Sequence, residues 1–223
     1  LQKDKGIQMR YRQTPHHIFG YNPEARPSNA GAIWRTLCWV NDKIAVSGDL
    51  SDYDSEAVVQ LQKWVSEGVT DIIDLRGEAS HESLVARIAP QIKYHWLGVD
   101  DEGDRRSDEW FEAIQKAAAL VFGNPNRKAV IHCHMGVNRG PSAAFTALIT
   151  NGVDPIEALG QIRAARPIAA MIYAGDAIQW FAEQQGNTQE QSDAQFNAVL
   201  EWHKQNPLDV GYCIQQIGQR YAA

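Results

Sequence analysis

Cys133 and Arg139 stand six positions apart in the segment Ala129-Val130-Ile131-His132-Cys133-His134-Met135-Gly136-Val137-Asn138-Arg139-Gly140-Pro141-Ser142, a spacing that suits a phosphate dianion. The run Ala129-Val130-Ile131 is short and apolar enough to be a buried strand, and Pro141 is a favoured first-turn residue of a helix. Between them, residues His134, Met135, Gly136, Val137 and Asn138 can curl so that their backbone N–H groups converge, forming an anion nest reinforced by the helix N-terminus. Gly136 permits close approach of the backbone. Arg139 can meet two phosphoryl oxygens with its planar fork, which lysine does not reproduce. The same field favours thiolate over thiol, so the sequence predicts a Cys133 pKa below the free value of about 8.5 and a nucleophile at neutral pH.

The neighbouring histidines carry less. His132 points the opposite way from Cys133 along the strand, and the prediction is a supporting residue that holds the loop from beneath by hydrogen bonds. His134 invites a metal reading, but adjacent residues alternate in direction and no carboxylate or cysteine cluster accompanies it. No metal and no organic cofactor is expected, because amides and Arg139 already supply a positive field.

The elements that must position this loop follow from periodicity and punctuation. Ile44-Ala45-Val46 reads as a strand, Asp54 as the N-cap of a helix carrying Val58, Leu61 and Val65, and Gly68 as its end. Ile72 to Leu75 reads as a strand, Ser83 to Ile88 as a helix stopped before Pro90, and Lys93 to Leu97 as another strand. After a polar loop from Gly98 to Arg106, Ser107 caps a helix with the face Phe111, Ile114, Ala118 and Val121, closed by Gly123. Beyond the Cys133 segment, helices are predicted over 141–150, 154–165, 169–184, 192–204 and 208–221. Alternating strands and helices imply an α/β fold, one domain with a mostly parallel central sheet flanked by helices. Such sheets bind ligands beyond the carboxyl ends of their strands.

Composition narrows the class. At 44% hydrophobic and 22% charged residues, the chain matches packed globular proteins and neither a disordered nor a membrane protein. The longest nearly apolar stretch, near Ala143 to Ile149, is too short to span a bilayer, and the polar start is no signal peptide. Three scattered cysteines and a formal charge of −6 suit a reducing, cytoplasmic setting and argue against a nucleic-acid binder. Residues 1–41 are irregular and lean basic through Lys3, Lys5, Arg10, Arg12, Arg26 and Arg35, and are expected to pack as an arm on the domain. Oligomeric state is not encoded in any of these features.

On the His132-Cys133-x5-Arg139 loop the chain resembles the protein tyrosine phosphatase superfamily, particularly its dual-specificity branch. The resemblance implies a general-acid aspartate about thirty residues before the cysteine, after a strand and ahead of a helix. Tyr94-His95-Trp96-Leu97-Gly98-Val99-Asp100-Asp101 supplies that arrangement, with Asp101 fitting best and Asp100 and Asp104 as alternatives. The family usually has Ser or Thr after the arginine, where this chain has Gly140, so the departing thiolate lacks one donor; Ser142 matches a polar residue that follows the family's Pro and does not replace it. The similarity spans about Trp39 to Gln184, which implies a catalytic domain over 42–186 with a helical extension over 187–223. The implied activity is hydrolysis of a phosphorylated protein or small molecule through a cysteinyl-phosphate. Two alternatives accompany it: a pseudophosphatase that binds phosphorylated partners without turnover, and an RNA 5′-phosphatase.

Overall fold

The computed structural model describes residues 13–222; Lys3, Lys5, Arg10 and Arg12 of the basic arm lie outside the described residues. Five strands form one sheet: β1 (Cys38–Trp39), β2 (Ile44–Ser47), β3 (Asp71–Arg76), β4 (Lys93–Val99) and β5 (Ala129–His132). Their spatial order is β1-β2-β5-β3-β4. The strands β2, β5, β3 and β4 are mutually parallel, and only β1 runs antiparallel, at the edge beside β2. In register, Ser47 and Asp74 flank His132 on the two sides of β5, so the Cys133 loop leaves from the middle of the sheet.

Among the described residues, eight α-helices accompany this sheet: α1 (Asp54–Ser66), α2 (Glu82–Ile88), α3 (Asp108–Phe122), α4 (Arg139–Thr150), α5 (Pro155–Ala165), α6 (Ala174–Gln184), α7 (Gln189–Gln205) and α8 (Val210–Tyr221). Alternation along the strands sorts the interior. Ile73 and Ile131 join Phe111, Ile114, Phe145, Leu159 and Trp180 in the larger cluster, whereas Ile72 and Val130 join Leu61, Trp64 and Leu84 on the opposite face. At about 25 cal/mol per Å² of apolar surface removed from water, these two layers supply the main driving force for folding.

Some boundaries differ from the sequence prediction. Asp54 is the first helical residue of α1 rather than its N-cap, which is Tyr53; the Asp54 carboxylate accepts from Arg87 at 3.0 Å instead. Residues 169–173 are loop, not helix, and Met171 there has φ of 57°. Pro167 follows Arg166, and a residue before proline is pushed out of the helical region. The helix predicted over 192–204 begins earlier, at Gln189, with Thr188 and Gln191 forming a reciprocal capping box.

The described residues outside the phosphatase resemblance, 13–38 and 185–222, pack on the rest of the fold. Phe196 and Val199 of α7 enter the larger cluster. A third cluster joins Phe19 and Trp34 from the arm, Val137 and Ile168 from loops, and Leu208, Cys213 and Ile217 around α8. Asp209, the N-cap of α8, accepts from Tyr212 N at 3.0 Å, from Arg26 Nε at 2.8 Å and from Asn22 N at 3.3 Å, tying the arm to the start of that helix.

Candidate active site

The loop after β5 closes around Cys133, whose side chain belongs to the larger apolar cluster and is 2% exposed. Backbone N–H groups of Gly140 and Gly136 are directed at its sulfur. Gly136 has φ of 63°, and a Cβ there would run into the Arg166 guanidinium and the Ser47 carbonyl. The tight approach that requires glycine is therefore to the scaffold under the loop.

Arg166 is that scaffold. Its fully buried guanidinium donates from Nε to Gly136 O at 2.6 Å, and from Nη2 to Met135 O at 3.0 Å and Trp34 O at 2.8 Å. Nη1 reaches Ile33 O at 3.2 Å and Thr36 O at 3.3 Å. One side chain thus turns two loop carbonyls downward and fastens the arm to the loop. Burial lowers the Arg166 pKa.

Arg139, the first residue of α4, reaches across the loop with its side chain nearly buried. Glu78 takes the far edge of its guanidinium, at 2.6 Å to Nη1 and 2.8 Å to Nη2, and Nη1 also donates to Val99 O at 2.8 Å. Nε has no hydrogen-bond partner among the described residues and stands 3.4 Å from Asp101 Oδ2. The unpartnered N–H is the one beside Asp101.

Asp101 accepts hydrogen bonds through one oxygen, while the other faces Arg139 Nε. Its Oδ1 accepts from Asn138 Nδ2 at 2.7 Å and from the Tyr173 hydroxyl at 2.8 Å, which leaves Oδ2 without a hydrogen-bond donor among the described residues. Asn138 is fixed in turn, because its Oδ1 accepts from Ile172 N at 2.8 Å and from Ser142 Oγ at 3.3 Å. Asp100 and Asp104, the alternatives in the same loop, offer backbone carbonyls to Arg106 at 2.7 and 2.9 Å, and neither lines the cavity that contains Cys133, Arg139 and Asp101.

That cavity has a volume of about 360 Å³. The loop contributes Cys133, His134, Met135, Val137 and Asn138, the aspartate loop adds Glu102 and Gly103, and His16 comes from the arm. Ile172, Val210 and Ile214 complete the wall. His16 packs directly on the aspartate loop, where a Cβ on Gly103 would strike its ring. His134 Nδ1 lies 2.7 Å from Asp49 Oδ2, and this hydrogen bond raises the histidine pKa against the effect of burial. Asp49 also meets Arg35 at 3.2 Å and Arg76 at 3.5 Å.

Two expectations are corrected. His132 does point away from Cys133, its ring lying 5.8 Å from that of Trp64, but neither ring nitrogen reaches a partner at hydrogen-bond geometry and Asp74 Oδ1 is 3.8 Å away. Burial holds its pKa down, so it fills space beneath the loop as a neutral ring. The thiol of Cys133 is not depressed either. Burial pushes its pKa up, and Asp101 adds to the rise, against the lowering by Arg139 and by the Gly140 and Gly136 amides. The largest cause is burial of the sulfur, which penalises the charged form more than the donors around it favour it.

Sequence reasoning missed Glu78, Asp49, Tyr173 and Arg166. Only Arg166 left a signal: it precedes Pro167 at a helix end, where a long polar side chain is free to turn inward.

Among the described residues, no helix is long and apolar enough to cross a membrane, and no group of three or more His, Cys, Asp or Glu residues is placed to hold a metal ion.

Neither a protein-family model nor a curated protein sequence matches the chain. Solved structures do share the fold. Human DUSP28 superposes with a TM-score of 0.52 at 15% identity, covering 67% of this chain and 95% of that one. A mouse putative dual specificity phosphatase, complexed with zinc tungstate, gives 0.55 at 15% identity over 67% and 90%. The human tyrosine phosphatase-like serine/threonine/tyrosine-interacting protein gives 0.51 at 15% identity over 67% and 97%.

Proposed function

Proceeding from the dual-specificity phosphatase fold, we propose that this chain hydrolyses phosphate monoesters of a protein or small molecule through a cysteinyl-phosphate intermediate. The observation that carries the proposal is the convergence of Cys133, Arg139 and Asp101 on one cavity, with loop amides aimed at the sulfur.

In the first step the Cys133 thiolate forms a bond to phosphorus as the bond to the leaving oxygen breaks, and Asp101 Oδ2 delivers a proton to that oxygen. Arg139 Nε and the loop N–H groups hold the equatorial oxygens, where charge is greatest in the transition state. Water then attacks phosphorus, Asp101 accepts its proton, the sulfur–phosphorus bond breaks, and inorganic phosphate leaves with Cys133 restored as thiolate. Glu78 and Tyr173 position Arg139 and Asp101 and contact no reacting atom. The roles of Cys133, Arg139 and Asp101 and the division into arm, catalytic domain and helical extension belong to this proposal.

A panel of phosphorylated compounds assayed for phosphate release tests it. The wild type is expected to turn over at least one of them and the Cys133→Ser protein none, while the variant still binds vanadate through the loop amides and Arg139. Asp101→Ala is expected to lower turnover by about 10²- to 10⁴-fold, less for a good leaving group. Hydrolysis by Cys133→Ser, or loss of activity with chelator that Zn²⁺ restores, overturns the mechanism.

A second reading, binding of phosphorylated partners without turnover, is favoured by the raised Cys133 thiol and by Gly140. The pH dependence of Cys133 alkylation by iodoacetamide in the presence and absence of vanadate, beside the phosphate-release assay, separates the two. An RNA 5′-phosphatase draws less support, because Arg26 and Arg35 of the arm are paired with Asp209 and Asp49.

A further inference from the structure

Beyond the reacting groups, the cavity has a second half whose chemistry differs from the first. Val210 and Ile214 are one helical turn apart on α8 and line the same cavity as Cys133, together with Met135, Val137 and Ile172. Ile214 is 44% exposed, one of few large apolar side chains that reach solvent, whereas its neighbours Cys213 and Ile217 are completely buried. The buried pair anchors α8 in the third apolar cluster beside Val137 and Ile168, and the Asp209 cap, gripped by Arg26 and Asn22, fixes where the helix starts. The apolar wall is thus held in place by both the arm and the C-terminal extension.

Charge around the cavity is equally one-sided. Its one arginine, Arg139, is already shared with Glu78 and Asp101, and its His134 is bonded to Asp49. Besides His16 and Cys133, the remaining titratable wall residues are the acids Asp101 and Glu102. A leaving group bearing a second phosphate or a sulfonate would meet carboxylates and Ile, Val and Met side chains, with no unshared arginine or lysine lining the cavity among the described residues.

We propose that Val210 and Ile214 of α8 are specificity-determining residues that select singly phosphorylated monoesters whose leaving group presents an uncharged, apolar face. This rests on the phosphatase reading of the same cavity and adds the class of leaving group and the residues that choose it. The phosphoryl group sits at the Cys133 loop, and the apolar part lies against α8, where its burial contributes to binding in ground state and transition state alike.

The test uses the full chain and three esters of similar leaving-group acidity: phenyl phosphate, 2-naphthyl phosphate and a sulfonated 2-naphthyl phosphate. The wild type is expected to favour the naphthyl over the sulfonated ester at least tenfold in kcat/KM. Ile214→Ala and Val210→Ala are expected to cut kcat/KM for the naphthyl ester by about ten- to a hundredfold, the range for trimming an apolar pocket, with a smaller loss for phenyl phosphate. Calorimetric binding of 2-naphthylmethylphosphonate and methylphosphonate to the same proteins needs no turnover. There the naphthyl compound is expected to bind at least tenfold tighter to the wild type, and the advantage to fall in both variants. A protein that hydrolyses none of the esters but shows this preference in binding loses the phosphatase reading and keeps the wall. Equal losses for all three esters, or a naphthyl advantage in binding that both correctly folded variants retain, overturns the inference.

Discussion

Replacing Arg166 with lysine isolates what the buried guanidinium contributes. In the native protein it serves five backbone carbonyls, those of Gly136, Met135, Trp34, Ile33 and Thr36. A lysine ammonium has three donors and no planar fork, so at least two of the five carbonyls lose their partner around a side chain that is itself fully buried. Each orphaned buried acceptor costs about 1–3 kcal/mol, giving a loss of about 2–6 kcal/mol, a large share of the roughly 5–15 kcal/mol that typically separates folded from unfolded states. Two of the carbonyls belong to the Cys133 loop, so anion binding should weaken along with stability. Urea unfolding followed by tryptophan fluorescence gives the first quantity, and calorimetric titration with vanadate well below the unfolding midpoint gives the second. A variant within about 0.5 kcal/mol of the wild type, as for an ordinary surface substitution, with unchanged vanadate affinity, would refute the reasoning.

Three further outcomes are expected. Asp176 is buried with its pKa pushed up to about 6, so the folded protein is destabilised progressively as pH rises from about 3.8 to 6 and constantly above; Asp176→Asn should stabilise it by up to about 3 kcal/mol at pH 7 and remove that slope from a plot of unfolding free energy against pH. The pKa of His134 is raised by Asp49, so their pairing stabilises the fold fully below about 6.5 and progressively less as pH passes the raised value; the stability gap between wild type and His134→Gln, about 1 kcal/mol after solvent screening, should close with rising pH, and a pH-independent gap contradicts this. With no hydroxyl at residue 140, rapid mixing with an activated aryl phosphate should give a burst of phenol followed by slower turnover. Gly140→Ser, whose Cβ meets the His132 and Cys133 backbone at 3.2–3.3 Å, should quicken the slow phase about tenfold once that backbone yields a few tenths of an ångström; absence of both effects indicates another donor.

The strand-loop-helix around Cys133 was legible in the sequence because its signals are local: an apolar run, a glycine, a proline. The same holds for α3, whose Ser107 cap accepts from Trp110 N at 3.3 Å, and for the central parallel strands. What was not legible depends on distant partners or on very short elements. The two-residue edge strand β1 has no period to detect. Residues 169–173 carry enough alanine to suggest a helix, yet Ala170 N donates to Val137 O at 2.7 Å, a tertiary bond that composition does not announce. Glu78 meets Arg139 from 61 residues away. The Cys133 thiol shows the limit most clearly: the donors that lower its pKa can be read in order along the chain, but the burial that outweighs them is a property of the assembled interior.

The clasp between Asp209 and Arg26 bears on how the protein is made as well as on the selectivity proposed above. Ribosomal synthesis proceeds from the N-terminus, and contacts of high sequence separation form late. The Cys133 loop, Arg139 and Asp101 all leave the ribosome well before α8, so a growing chain acquires its reactive groups ahead of the wall that would discriminate among leaving groups. On the function proposed above, a chain in which Val210 and Ile214 have not docked would present an anion site open on one side, and would gain its selectivity only when the two flanking segments close on each other.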